Sequence, residues 1–378
     1  MRRTDLPGLV CAGCGRTFEA AEGVWRCPCG DVLDVVGTRT PVLAPSQLVG
    51  RPATLWRYAE VLPVPLDDQV SMGEGMTPLV AAPGCAGAWL KLDFLMPTLS
   101  FKDRGAVMLA ILAKVLGADC LVVDSSGNAG TAVAAYAARA GLPCTVFVPA
   151  STSPGKLLQM RAHGAQVNVV AGDRQAAAEA AASALAETPG SFYASHVYQP
   201  FFLHGTKSFA YEVWEQMGGQ APAELYLPVG NGTLLLGAYI GFGELHRAGL
   251  VPALPRIVGV QAAACAPLAR AWAGHTEPSV PASTVAEGIA IAHPPRGGQV
   301  LAAVAATGGE IVAVDDDEVR AARADLARAG FFVEPTAAVC WAALRRRAGR
   351  PGVGGGAPGA GPTVVVPLSG AGLKSPGP

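Results

Sequence analysis

Short apolar runs alternate with alanine-rich helical stretches along much of the chain. The clearest instance is ADCLVVDSSGNAGTAVAAYAARAGLPCTVFVPA, residues 118–150. The pattern predicts an apolar strand over 120–124, a polar turn, a helix over 129–140 stopped by Gly141, and a strand over 144–149. That is a βαβ unit. The rhythm repeats with a helix near 155–163, a strand in AQVNVV and a helix in DRQAAAEAAASALAE. From about residue 191 to the end, the runs ELYLPV, RIVGVQ and TVVVPL extend it. Strands alternating with helices predict open, mostly parallel α/β sheets, because parallel neighbours need a crossover connection. Two such lobes are expected, with ligand held in a crevice at the carboxyl ends of the strands.

Composition narrows the partners. The 378 residues are 51% hydrophobic and carry a net charge of −1, enough chain for two or three domains and a large core. Without a basic field, nucleic acid is not an expected partner, and small-molecule chemistry is. No uninterrupted apolar stretch is long enough to span a bilayer, so no membrane partner is expected. The start MRRTDLPGLVCAGC lacks the apolar core of a secretory signal, and a cytoplasmic location is expected.

The nine cysteines fall into two groups. Cys85, Cys120, Cys144, Cys265 and Cys340 stand singly in apolar contexts, as small buried hydrophobes do. Cys11, Cys14, Cys27 and Cys29 cluster as two pairs on glycine-bearing turns in CAGCGRTFEAAEGVWRCPCG. Four thiolates so arranged can close a tetrahedral Zn(II) site, and a segment of about forty residues would take its folding energy from the metal. Residues 1–40 therefore look like a zinc ribbon. The second pair is CxC where CxxC is usual, and unbound or disulfide-forming thiols are the alternative. A proline-punctuated linker near Pro41, Pro45 and Pro52 follows, and the catalytic body is expected from about residue 53.

Lysine is scarce. Of 28 Lys and Arg residues six are lysines, leaving 28 − 6 = 22 arginines. One of the six, Lys102, lies in SFKDRG; unlike arginine, a lysine can lose its proton and attack a carbonyl. The alternative is a solvated loop lysine. Two glycine-bearing turns sit between a strand and a helix start, where unpaired N–H groups favour an anion. They are Ser125, Ser126, Gly127 and Asn128 in SSGNAG, and Gly230, Asn231, Gly232 and Thr233 in PVGNGT. Taken alone, the second has an ordinary turn as its alternative. A formal GxGxxG at Gly354, Gly356 and Gly359 lies in a proline-rich stretch with no helix after it, as a flexible loop does.

In order along the chain come GEGMTPL, SFKDRG, SSGNAGTAVAAYAARAG, PVGNGT, FFVEPTAA and PLSGAGLK. Over roughly residues 70–374 this series resembles the fold type II pyridoxal-phosphate enzymes, the tryptophan synthase β family, and within it the threonine synthase branch. The resemblance implies a small substrate-binding lobe at 105–190 and a large cofactor lobe from 53–104 and 191–378. It implies that Lys102 is the Schiff-base lysine and moves the Cα proton. It further implies that Asn128 bonds the cofactor's phenolic oxygen, that Ser125, Ser126 and Gly127 hold the substrate carboxylate, and that Gly230 to Thr233 cradle the cofactor phosphate. Ser369 would face the pyridine nitrogen; a neutral hydroxyl there favours elimination and replacement over transamination. A small amino-acid substrate and a homodimer are expected.

One departure bears on the substrate. Where members of that branch carry an arginine for the phosphate of O-phosphohomoserine, SHVYQPFFLHGTK has Phe202. His196, His204 and Lys207 are the candidate replacements, with packed side chains as the alternative for the histidines. Glu287 and Glu334 are candidates to lie near the ring or to be structural. A serine/threonine dehydratase and a non-catalytic zinc-ribbon scaffold are the competing functions.

Overall fold

The computed structural model describes residues 5–38, 45–152, 154–275, 282–348 and 363–375, so Pro41 and the 354–359 glycine loop lie outside the described residues. The chain runs β1 (Gly8–Cys11), β2 (Thr17–Glu19), β3 (Leu33–Val36), β4 (Leu79–Ala81), β5 (Ala88–Lys91), α1 (Asp103–Val115), β6 (Cys120–Val123), α2 (Asn128–Ala140), β7 (Cys144–Pro149), α3 (Pro154–Ala162), β8 (Gln166–Val170) and α4 (Arg174–Glu187). It continues through β9 (Ser191–Tyr193), α5 (Phe201–Thr206), α6 (Ser208–Gln216), β10 (Glu224–Pro228), α7 (Thr233–Arg247), β11 (Arg256–Ala262), α8 (Pro267–Trp272), α9 (Gly297–Ala306), β12 (Glu310–Val314), α10 (Asp316–Arg328), α11 (Pro335–Ala348) and β13 (Val364–Pro367). No helix among the described residues is long and apolar enough to cross a membrane.

The elements form two compact units. The first comprises Met1–Pro41, Gly50–Gly75 and Lys102–Thr206; the second comprises Val42–Val49, Met76–Phe101 and Lys207–Pro378. The sequence grouped 53–104 with 191–378. The packing instead gives 50–75 and 191–206 to the first unit, because Leu55, Trp56, Val64, Phe192, Phe201 and Phe202 join its core.

In the first unit an antiparallel ribbon of order β2-β1-β3 accompanies a four-stranded parallel sheet of order β8-β7-β6-β9. Local chemistry sets the helix ends. Gly141, at φ 70°, closes α2 in the left-handed conformation that glycine adopts without strain. Asp173 caps α4 by accepting from the N–H groups of Gln175 at 2.9 Å and Ala176 at 3.1 Å.

The second unit is a six-stranded sheet of order β12-β11-β10-β13-β5-β4, parallel except for β4 at its edge. Helices α10 and α11 supply much of the core beneath it. Both sheets reverse their winding once. In the first unit β6 leads outward to β7 and β8 while β9 returns on its other side; in the second, β10 leads to β11 and β12 while β13 returns beside it. Such switch points leave a crevice at the strand ends that two diverging connections cannot fill.

Candidate active site

The strand ends at these switch points carry the chemistry-bearing loops. In the first unit β6 runs into Asp124 and the 125–128 turn, and the adjacent β9 runs into the turn that holds His196. Helix α2 begins at Asn128, so the N–H groups of its first turn are not used within the helix. A Cβ on Gly127 would meet nothing within 4 Å, whereas one on Gly130 would fall 2.0 Å from the Ser125 carbonyl oxygen. Gly130 lets the turn fold down on the helix, and Gly127 leaves the turn open above it. That is a cradle suited to a carboxylate.

Lys102 caps the start of α1 and is half-buried. Its ammonium stands 5.8 Å from the centre of the Phe202 ring. Phe202 is fully buried on α5 and fills a notch left by Gly105, where a Cβ would lie 2.4 Å from the ring. The helices meet so closely that a Cβ on Gly205 would fall 1.9 Å from the Arg104 carbonyl oxygen. The His196 ring meets Phe202 edge-on at 5.9 Å. Burial first, then the positive charges of Lys102 and Arg174, hold the His196 imidazole well below its usual pKa, so it is neutral at pH 7.

Asp124 was not singled out by the sequence. Burial pushes its carboxyl from 3.8 up to about 6, against the Tyr193 hydroxyl that bonds it and the charge of Arg174. Glu74, in GEGMTPL, is fully buried and accepts from Trp56 Nε1 at 2.8 Å, Ser71 Oγ at 3.0 Å, the Met72 N–H at 2.8 Å and the Tyr136 hydroxyl at 3.0 Å. It thereby ties the 54–75 segment to α2.

In the second unit Gly230, Asn231, Gly232 and Thr233 connect β10 to α7. Gly232 is left-handed at φ 77°, and a Cβ there would lie 2.3 Å from Val300 Cγ2. Gly230 passes Ile289 so closely that a Cβ would be 3.0 Å from its Cα. Two of the four turn positions therefore have room only for backbone, as phosphate binding by N–H groups favours. Ser369 is buried at the end of the neighbouring β13, and its carbonyl accepts from the N–H of Phe101, the residue before Lys102, at 3.0 Å. Glu334 presses on the next residue: a Cβ on Gly370 would lie 2.3 Å from its Oε1. Glu287 is exposed on a short turn.

Lys207 does not fit the phosphate-binding part considered for it. It is fully buried, with Nζ 2.9 Å from Glu244 Oε1, while the Tyr211 hydroxyl donates to Oε2 of the same carboxylate at 2.7 Å. His204 is likewise buried, on α5.

The four N-terminal thiols converge. All four Sγ atoms lie within 4.8 Å of one another, with Cys11 to Cys29 at 3.4 Å and Cys14 to Cys27 at 3.6 Å. A tetrahedral site with metal–sulfur bonds of about 2.3 Å needs separations of about 3.8 Å, so the set fits a metal and no pair is at bonding distance for a disulfide. The Cys14 N–H, 3.5 Å from Cys11 Sγ, heads the interactions that bring that thiol down to about 7, while burial and the neighbouring thiols push Cys27 up to about 12 and Cys29 up as well.

A pair of parallel α/β sheets, each with a glycine-bearing turn between a strand and a helix at its switch point, is the architecture of a class of cofactor-dependent enzyme. Residues 70–370 match the pyridoxal-phosphate dependent enzyme family, and the chain belongs to that family, with the type II fold. It is a pyridoxal-phosphate-dependent lyase similar over most of its length to threonine synthases. It is 32% identical to the threonine synthase of Methanocaldococcus jannaschii, over 89% of this chain and 86% of that one. It is 36% identical to that of Mycobacterium leprae, over 86% and 89%. Among solved structures, a T.th. threonine deaminase matches with a TM-score of 0.64 and 28% identity, covering 78% of this chain and 92% of that one. Maize serine racemase matches with a TM-score of 0.66 over 78% and 88%, and at 19% identity shares the fold.

Proposed function

We propose that the chain catalyses elimination or replacement on a small amino acid with a β- or γ-leaving group, in the manner of threonine synthases but on a leaving group smaller or less charged than phosphate. When bound, pyridoxal phosphate supplies the electron sink that acidifies the amino acid's α-carbon. Lys102 would hold the cofactor through its Nζ, and its amine is placed to move the Cα proton of the substrate. Gly230, Asn231, Gly232 and Thr233 would hold the phosphate with backbone N–H groups, Asn128 would hydrogen-bond the phenolic oxygen, and Ser369 would serve the pyridine nitrogen with its hydroxyl. Ser125, Ser126 and Gly127 bind the substrate carboxylate at the start of α2. Cys11, Cys14, Cys27 and Cys29 hold a structural Zn(II), and the working assembly is a homodimer.

The observation that carries the substrate reading is Phe202, buried in the Gly105 notch beneath the Lys102 ammonium. A phosphomonoester dianion in a partly dry site needs cationic or aligned N–H partners, or its desolvation is not offset. Position 202 offers an aromatic ring, His196 is held neutral and Lys207 is committed to Glu244. A serine/threonine dehydratase is the second reading, supported by the 28% identity with a threonine deaminase. The test is product analysis of the purified holoenzyme with O-phosphohomoserine, O-acetylhomoserine, serine and threonine. Turnover is expected with the acetyl ester or with the hydroxyl amino acids. Efficient threonine formation from O-phosphohomoserine overturns the leaving-group reading.

A further inference from the structure

The cysteine ribbon and the 125–128 turn are far apart in sequence, yet a continuous path of side chains joins them inside the first unit. Trp25 and Arg26 immediately precede Cys27. The Trp25 ring stands edge-on to Tyr193 at 4.7 Å and 70°, and to Tyr198 at 5.5 Å and 71°. The Arg26 guanidinium lies 5.2 Å from the Tyr198 ring centre, and its Nε donates to the Gly30 carbonyl at 2.7 Å, inside the second cysteine knuckle. One end of the path is thus clamped by the turn that a bound metal would fix.

The other end is the site loop. Tyr193 pairs with Val122 in the β6–β9 register, two residues before Asp124, and the Ala194 N–H donates to the Val122 carbonyl at 2.8 Å. Two residues past Tyr193, the Ser195 Oγ receives the Val197 and Tyr198 N–H groups at 3.4 Å in the turn that presents His196. Trp25, Tyr193 and Tyr198 form one apolar cluster with Val122, Ala181, Phe147 and Leu185. Tyr193 is therefore a hub between both switch-point turns, and Trp25 lies against it.

We propose that Trp25 is a positioning residue: the metal-held ribbon presses it on Tyr193 and so fixes the Asp124–Asn128 turn. The consequence for substrate rests on the reading of that turn as the carboxylate site. A ribbon too small for a core of its own needs the metal to hold Trp25 in place, so metal occupancy is coupled to the turn. Edge-on aromatic pairs contribute enough that losing them is expected to raise KM about tenfold, with kcat within about threefold.

The experiment is hydrogen exchange on the pyridoxal-phosphate-loaded full chain, wild type against Trp25→Ala and Trp25→Phe, with steady-state KM and kcat on the same preparations. Faster exchange is expected over 122–130 and 193–198 in Trp25→Ala, largely reversed in Trp25→Phe, with 224–262 unchanged. Unchanged exchange at 122–130 overturns the proposal whatever the kinetics. Faster exchange with an unchanged KM leaves the coupling standing and overturns the carboxylate role of the turn. Should Trp25→Ala fail to fold, the wild type stripped of metal by a chelator takes its place: it must show the same local rise, and a rise spread over the whole chain overturns the proposal.

Discussion

Gly105 and Phe202 make a contact in which neither residue can change alone. Adding one methyl group at Gly105 places a carbon inside the ring's van der Waals envelope, so Gly105→Ala is expected to cost about 1–3 kcal/mol, read as a lowered urea midpoint. Asp124 gives a second prediction at this scale. Its folded pKa is raised to about 6 from 3.8, so between those values the native state binds more proton than the unfolded chain. Stability therefore falls as pH rises from about 4 to about 6, by at most about 3 kcal/mol. Asp124→Asn, still able to accept from Tyr193, should flatten that slope and gain stability over the wild type at pH 7.5 more than at pH 4.5. An identical slope in denaturation curves of both proteins refutes it. Lys102 stands out in the sequence because its motif and the scarcity of lysine both mark it. The depth of Phe202 and the Lys207–Glu244 pair do not: partners 97 and 37 residues apart in sequence are matched by packing, and no local pattern encodes which face meets which.

Helices and strands were the most legible level. The β6–α2–β7 unit falls within a residue or so of its sequence bounds, because turn residues, an alanine-rich stretch and Gly141 all favour the same structure. The two cradling turns were legible as strand–turn–helix junctions for the same reason. The ribbon shows what local pattern leaves out: cysteine spacing picks out the four thiols that converge, while the packing of Trp25 on Tyr193 depends on residues nearly 170 positions away. At this scale Cys11→Ser/Cys14→Ser is expected to lose the bound zinc, about one equivalent per chain by metal analysis. Metal content equal to the wild type's would remove these thiols from the ligand set.

Among the described residues, each unit has a large core of its own. That two parallel α/β lobes exist was readable from the alternation of strands and helices; which lobe owns 50–75 and 191–206 was not, because hydrophobic period gives the face of an element but not its neighbour. Each unit has its sheet reversed beside one strand, with its candidate site loops placed there; Lys102 is the proposed attachment point for the cofactor. Borohydride reduction of the holoenzyme should fix the cofactor on the peptide containing Lys102, and Lys102→Ala should lose both the visible absorbance and turnover. A reducible linkage retained at another lysine would remove Lys102 from that part.

The α1–α5 contact also limits where this enzyme can go by mutation. A guanidinium at position 202 would enter a notch shaped for a ring, with no exposed surface and the Arg104 carbonyl already pressed by Gly205. Phe202→Arg is therefore expected to damage the fold before it can recruit an anion. On the proposed reading, leaving-group preference would be entrenched by epistasis: the path to a phosphorylated substrate would be blocked at its first step unless the helix crossing loosened beforehand. A selection for that activity would then find its early mutations in the helix contact, with the charge arriving last.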